Sequence, residues 1–347
     1  MRLVLALLTH NEADILETTL RYHFDQGIDH VVAYDDQSTD GTCRLLRDGE
    51  RAGKVTVLPR LPGTYLTDGA RWRTRLLRHA ASELRPDWIL GSDPDEFWWP
   101  LGGDLKDAFA RVPEAAEYVI APRTDFVYTE PVTPGRAVEE QVLRESVSTL
   151  APKVAVRPFP DLVAAGGFHR VARSGTLERL DKLETGEPLR ASGVLPARLF
   201  HYAVRSQAQF EWVGTEKERP DPKPPARRRD AVYRTFVESG WQGDELDLGA
   251  PWRQEAIRRG LQEGVFVVDR RVARFLADGH IGDGKQTAAD VTEANQQVIE
   301  NLARKETSLR SRTHRLHQDI ESEREANRRW VGRGAGRLAG ALRLRIR

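Results

Sequence analysis

Cysteine is almost missing from this chain of 347 residues: Cys43 is the single one, which excludes an intrachain disulfide and a zinc cluster built on thiolates. Long apolar runs are missing too. None approaches the roughly 18 residues needed to cross a bilayer. The opening MRLVLALLTHNE has too short an apolar stretch, and no small-residue cleavage site, for a signal peptide. A cytoplasmic protein is expected. Net charge is close to zero, with 53 Lys and Arg against 52 Asp and Glu, so the whole chain has no electrostatic bias toward nucleic acid, and none is expected as a partner. That balance hides a segregation: residues 301–347 hold 13 basic and 5 acidic side chains, a net +8, which leaves −7 for residues 1–300. No internal repeat of 20 to 50 residues is visible, which disfavours solenoids and propellers. No Gly-x-Gly-x-x-Gly follows the first apolar run, which counts against a dehydrogenase. What is present, 39% hydrophobic and 30% charged residues, suffices for a folded core.

The first hundred residues alternate two patterns. Leu3 to Leu8 is a strand-length apolar run that ends at Thr9-His10-Asn11-Glu12. Ile15, Thr19, Leu20, Tyr22 and His23 follow at helical spacing and Gly27 ends them, after which His30 to Tyr34 is a second strand running into DDQSTDGT. KVTVLP at 54–59, an arginine-rich helix from Asp68 to Leu84, and a strand from Pro86 to Gly91 that stops at SDPDEF repeat the theme. Strands alternating with helices of this length predict an α/β fold with a parallel sheet, whose ligands sit outside the carboxyl ends of the strands. Beyond Pro100 the pattern turns irregular, with strands expected near 117–120, 123–128, 153–157 and 194–202. Residues 219–230 carry four prolines among charges and predict a mobile loop between helices at 206–217 and 230–239. From Ala288 to Trp330 there is neither proline nor glycine, and Val291, Val298, Leu302, Leu309 and Leu316 recur at sevens and fours, the pattern of a long helix with weak coiled-coil character.

Three polar clusters fall at predicted strand ends. In SDPDEF, Asp93, Asp95 and Glu96 can hold a hard divalent cation against a nucleotide phosphate, since Mg²⁺ and Mn²⁺ commonly bind through one or two carboxylates plus phosphate oxygens. The competing expectation is a strand-to-helix turn with solvated acids. In DDQSTDGT, Asp35 or Asp36 can accept hydrogen bonds from a nucleobase or a ribose, while Ser38, Thr39 and Asp40 can equally cap a helix. His201, after the apolar VLPARLF, is either a third ligand for Mn²⁺ or a satisfied strand histidine. Of Arg71, Arg73 and Arg75, only part can share one helix face.

The string THNEADILETTLRYHFDQGIDHVVAYDDQSTDGT, followed by PDWILGSDPDEFWWP, resembles the nucleotide-binding half of family-2-type glycosyltransferases with the GT-A fold, in the divergent branch whose metal motif reads D-x-D-E-F. The likeness spans roughly residues 1–215, continuing through PKV at 152–154, GGFHRV around His169, and HYAVRSQAQF at 201–210. It implies a GT-A-like, Rossmann-type nucleotide-diphospho-sugar transferase domain over 1–285, with a nucleotide-sugar-binding half at 1–100 and an acceptor half at 101–285. A helical extension at 286–330 and a basic tail at 331–347 complete the expected organisation. The implied activity is metal-dependent, inverting transfer from a nucleoside-diphosphate sugar to a glycan or lipid-linked acceptor. The resemblance implies that the Thr9 region, with Asn11 and Glu12, and Asp36 hold base and ribose, that Asp93 and Asp95 hold ribose and Mn²⁺ or Mg²⁺, and that His201 completes the metal or diphosphate site; Asp35 is placed with the same donor-binding set. Arg75, in a family-like W-x-T-R string, is expected to touch the nucleotide. Lys153, placed with the donor-binding set, and His169 are expected to line the acceptor side, and Asp125 is ranked first as catalytic base, with His169 and Asp161 as alternatives. Where the branch carries a basic residue soon after Q-F, this chain has Trp212 and Val213, so either Lys217 or Arg227 to Arg229 must supply that charge. Two other readings stand beside this one: a sugar-phosphate nucleotidyltransferase, which needs a glycine-rich loop that THNEAD lacks, and a non-catalytic sugar-binding or assembly module.

The tail VGRGAGRLAGALRLRIR holds five arginines and no acid, with leucines interleaved. That is the composition of an interfacial segment docking at the inner face of a membrane. The alternative is a solvated end beside a self-associating helix, because Gly332, Gly334, Gly336 and Gly340 weaken helix formation there.

Overall fold

A computed structural model describes residues 1–60, 63, 65–129, 132–147, 151–173, 189–206, 209, 231–232, 235–236 and 251–278. The chain divides into two units, Met1–Asn295 and Gln296–Arg347, and all described residues belong to the first. The long helix, the basic tail, the loop at 219–230 and most of the two helices predicted beside it lie outside the described residues.

The early alternation produces the sheet it predicts. Strands β1 (Leu3–Thr9), β2 (His30–Asp35), β3 (Val55–Val57) and β4 (Trp88–Ser92) run parallel in the order β3-β2-β1-β4. The sheet is extended on the β4 side by two strands from the second half, β9 (Lys153–Val156) and β6 (Tyr118–Ala121), paired antiparallel. Helices α1 (Leu16–Asp25), α2 (Thr42–Arg51) and α3 (Tyr65–His79) make the crossovers, and α3 runs on into one wider, π-helical turn at Ala80–Leu84. β1 is apolar at nearly every position because both faces of a parallel sheet are covered. Its side chains alternate between two cores. Leu3, Leu5 and Leu7 pack with Leu16 and Leu20 of α1 and with Trp98 and Phe109, while Val4, Ala6 and Leu8 pack with Trp72, Leu76 and Leu77 of α3. Each fully buried leucine is worth about 1.5–3 kcal/mol.

SDPDEF is a strand-to-strand turn and not the strand-to-helix turn that is its competing expectation. The acids occupy a tight turn between β4 and a second strand, β5 (Glu96–Pro100). Phe97 and Trp98, both buried, fit an extended conformation because aromatic side chains pack well on a pleated surface. β5 leaves the large sheet and joins β12 (Ala197–His201) and β7 (Arg123–Asp125) in a three-stranded sheet of order β5-β12-β7. α1 clamps β5 in place: Tyr22 Oη donates to the Trp98 carbonyl at 3.1 Å, and the Trp98 amide donates to His23 Nε2 at 3.3 Å. Burial lowers the His23 pKa to about 4, so the ring is neutral, which is what an Nε2 acceptor requires.

The second half adds elements that periodicity does not announce, among them a hairpin of β10 (Leu162–Ala165) and β11 (Arg170–Arg173), β8 (Leu143–Glu145) paired with β13 (Phe266–Val268), and helices α4 (Leu105–Ala110), α5 (Ala137–Glu140), α6 (Pro251–Gln262) and α7 (Arg271–Asp278). The hairpin turn brings Phe168, at φ +61°, over β4. A Cβ on Gly91 would lie 2.5 Å from Phe168 Cγ, so Gly91 is the gap into which that ring fits. Gly91→Ala is expected to cost about 1–3 kcal/mol through overpacking, measured as a lower urea midpoint at unchanged m-value.

Candidate functional site

β1 pairs with β2 on one side and β4 on the other, in parallel register, so Thr9, Asp35 and Ser92 leave the sheet at the same edge. THNE, DDQSTDGT and SDPDEF therefore share one mouth, where the rule for open α/β sheets places ligands. The backbone of the acidic turn is pinned from three sides. The Glu96 amide donates to the Asp93 carbonyl at 3.2 Å, the Asp93 amide donates to Glu96 Oε2 at 2.9 Å, and Thr19 of α1 donates to the Pro94 carbonyl.

Every acid of the turn faces at least two cationic side chains, and Asp93 and Glu96 share one of them. Lys153 is wholly buried, with Nζ 2.6 Å from Asp93 Oδ2 and 2.9 Å from Glu96 Oε2. Arg73 stands 3.5 Å from Asp93 Oδ1, and Arg123 stands 3.2 Å from Glu96 Oε1. Burial would raise the Asp93 pKa, but Lys153 and Arg73 outweigh it and hold this carboxyl well below the usual range. At Glu96 burial wins and the shift is upward. Asp95 faces the other way, its Oδ2 3.3 Å from His201 Nε2 and 3.4 Å from Arg205. Its pKa also falls, because His201 and Arg205 overcome the cost of burial.

His201 is set by strand register. β12 runs parallel to β7 with His201 opposite Asp125, and Nδ1 lies 2.7 Å from Asp125 Oδ1. Burial alone would lower its pKa, yet the Asp95 and Asp125 carboxylates raise it to about 9. Arg205, four residues on and 2% exposed at its side chain, donates through Nε to Asp14 at 2.7 Å, through a terminal nitrogen to Glu12 and to Asp14 at 3.1 Å, and through the other to the Tyr202 carbonyl at 2.8 Å.

The loops from β1 and β2 lock together. Thr9 Oγ1 donates to the Tyr34 carbonyl and to Asp35 Oδ1, both at 3.2 Å. Asn11, at φ +53°, accepts from the Thr39 amide at 2.7 Å, while its own amide donates to Ser38 Oγ at 2.9 Å. The Glu12 amide donates to Thr42 Oγ1 at 2.8 Å. Ser38 and Thr39 thus bind the neighbouring loop, and only Asp40 serves α2, accepting from the Thr42 amide at 2.9 Å. Asp36 is buried in the floor of the mouth.

Among the residues expected from sequence, Asp93, Asp95, Lys153, His201 and Asp125 converge, and Thr9, Asn11, Glu12, Asp35 and Asp36 line the adjoining loops. Arg75 turns instead to the Pro59 carbonyl at 2.6 Å, and Arg73, two residues earlier, is the helix arginine that reaches Asp93. Asp161 pairs with Arg173 on the hairpin at 3.0 Å. His169 Nδ1 donates to the Pro152 carbonyl at 2.9 Å, and burial beside Lys153 and Arg123 lowers its pKa to about 4, leaving a neutral ring. Lys217 and Arg227 to Arg229 lie outside the described residues. Sequence reading gave no role to Arg205, Arg123 or Asp14. The available signal was an arginine directly after the apolar Tyr202, Ala203 and Val204, where a charge survives burial only if paired. Among the described residues no three His, Cys, Asp or Glu side chains are spaced to hold a metal ion by themselves.

No family model matches this chain, and no curated protein matches it. Among solved structures it is similar to glucosyl-3-phosphoglycerate synthase from Mycobacterium tuberculosis in complex with Mn²⁺, uridine diphosphate and glucosyl-3-phosphoglycerate, at 16% identity over 48% of this chain and 61% of that one, with a TM-score of 0.29. It is also similar to S. aureus TarS in complex with UDP-GlcNAc, at 15% identity over 86% of this chain and 90% of that one, with a TM-score of 0.38. The chain spans less than two thirds of the length of the first of these. At such identities and TM-scores, function rests on the geometry of the site itself. The α/β class with its polar mouth at the parallel strand ends is the fold expected from the sequence.

Two outcomes follow from the pairing. Lys153→Met leaves Asp93 and Glu96 without their shared cation and is expected to destabilise the protein by about 3–5 kcal/mol, seen as a lowered denaturant midpoint. For His201 the folded pKa lies above the ordinary value near 6.5, so its stabilising effect in metal-free protein is complete below pH 6.5 and is lost as pH rises through about 9. The stability gap between wild type and His201→Gln, at most about 3 kcal/mol, should therefore shrink between pH 6.5 and 9.5 in denaturation series.

Proposed function

We infer that this chain is a glycosyltransferase that uses a nucleoside-diphosphate sugar and a divalent cation. The observation that carries the reading is the pair Asp95 Oδ2 and His201 Nε2, 3.3 Å apart at the mouth, with the other imidazole nitrogen held by Asp125. One carboxylate oxygen and one imidazole nitrogen are a donor set that suits Mn²⁺, and two protein ligands leave coordination positions for phosphate oxygens. A carboxylate on the far nitrogen of a ligating histidine fixes its tautomer and ring orientation, as metal-binding histidines generally require. When bound, the cation would supply charge stabilisation to a departing nucleoside diphosphate.

The chain's own residues divide the remaining work. Asp93, clamped by Lys153 and Arg73, is kept ionised and presents a fixed acceptor for ribose hydroxyls. Asp36 and the Thr9-to-Glu12 loop form the base and ribose side. Asp125 is buried with Oδ1 engaged by His201, which suits it to orienting the imidazole better than to taking a proton from an acceptor. His169 carries its hydrogen on Nδ1, toward Pro152, so its Nε2 lone pair is the neutral acceptor for an incoming hydroxyl. One displacement at the anomeric carbon inverts its configuration. The acceptor class in this reading is a glycan or lipid-linked hydroxyl, and the five arginines of residues 331–347 fit it by suiting an anionic surface where such acceptors lie.

The test is release of nucleoside diphosphate from a panel of nucleotide sugars in the presence of Mn²⁺. Slow donor hydrolysis is expected, lost in excess EDTA and reduced about a hundredfold or more by Asp95→Ala, since a metal contributes several kcal/mol to such a step. Undiminished turnover in EDTA or in Asp95→Ala overturns the metal reading. Binding of a nucleotide sugar without any turnover would instead mark a sugar-binding module.

A further inference from the structure

Behind Asp95 and the Thr9-to-Glu12 loop lies a second layer, made of Arg205 and Asp14. Arg205 joins three segments far apart in sequence: the loop after β1 through Glu12 and Asp14, the acidic turn through Asp95, and the stretch after β12, where Arg205 itself sits. Its guanidinium is anchored on one edge, where Nε and one terminal nitrogen bond Asp14 at 2.7 and 3.1 Å and the same terminal nitrogen bonds Glu12. Because a guanidinium is planar and rigid, anchoring that edge decides where the remaining nitrogen points. It points to Asp95 Oδ2, at 3.4 Å, and to the Tyr202 carbonyl. The backbone of Arg205 is held as well, its amide donating to Gln209 Oε1 at 2.9 Å. The contact with Asp95 is the longest of the set, so Arg205 steers this carboxylate without occupying it tightly.

We propose that Asp14 is a positioning residue, acting through Arg205 to aim the Asp95 carboxylate at the cation site. The inference rests on the metal reading above for its consequence and on the Arg205 geometry for its mechanism. Asp14 is partly exposed at the rim, and replacing it by asparagine removes the charge that anchors the guanidinium while preserving the shape of the side chain. Arg205→Lys keeps the charge and removes the fork, since an ammonium is a point charge that cannot bond Asp14 and Asp95 in one fixed plane. Both variants are expected to fold.

The experiment measures Mn²⁺ affinity of the full-length chain by the electron paramagnetic resonance signal of free Mn²⁺, and amide hydrogen exchange across residues 92–97 in the absence of metal. Each variant is expected to bind Mn²⁺ about tenfold more weakly, the range typical for loss of an outer partner of a metal ligand, and to exchange faster in the 92–97 segment, with a melting temperature close to wild type. Faster exchange at 92–97 in a protein whose wild type binds no Mn²⁺ supports the positioning role and rejects the metal reading. Unchanged exchange at 92–97 in both variants overturns the proposal, whether Mn²⁺ affinity stays level or falls through lost charge alone. Wild-type Mn²⁺ affinity in Asp14→Asn also overturns it.

Discussion

Everything at the mouth of this fold depends on charge compensation under partial burial. Glu12, Asp14, Asp93, Asp95, Glu96 and Asp125 crowd one edge of a sheet, and Arg73, Arg123, Lys153, His201 and Arg205 are interleaved among them. Carboxylates this close cannot all stay ionised away from water unless fixed cations stand between them. The consequence is an electrostatic framework set before any ligand arrives, in which the position of each acid is decided by the cation that neutralises it.

That framework assigns different work to acids that look alike. Asp93 and Asp95 are separated by one proline, yet Asp93 turns to Lys153 and Arg73 while Asp95 turns to His201 and Arg205. Asp93, the more exposed of the two, faces a lysine and an arginine, whereas Asp95 faces a titratable imidazole. The same logic separates the histidines. His201 lies between two carboxylates and is held charged in the metal-free state, whereas His169 lies beside Lys153 and Arg123 and is held neutral.

The surrounding fold exists to hold those partners in register. Lys153 comes from the strand beside β4, and Asp125 and His201 come from paired strands of the small sheet. Beyond them, Arg144 of β8 meets Asp269 at 2.6 Å, and Arg271 of α7 bonds the same carboxylate while lying over Phe200, 4.8 Å from the ring centre. Both pairs share the buried Asp269, and through Arg271 they tie the far end of the described chain to the back of the strand that carries His201.

The amino-acid order by itself determined the α/β class, the parallel strands and the mouth where three polar clusters meet, because apolar period and length are local properties that survive into the sheet. Asp93, Asp95 and His201 were legible for the same reason: a polar cluster that interrupts an apolar strand falls at that strand's end. Only the tertiary structure decided that SDPDEF turns into another strand, that Arg73 and not Arg75 serves the turn, that Asp125 faces His201, and that Arg205 spans Glu12, Asp14 and Asp95. The last three are contacts across 20 to 193 residues of chain. Nothing in local spacing specifies which of several arginines meets which of several acids. That choice is made when strand pairing sets the register and burial removes water as the alternative partner.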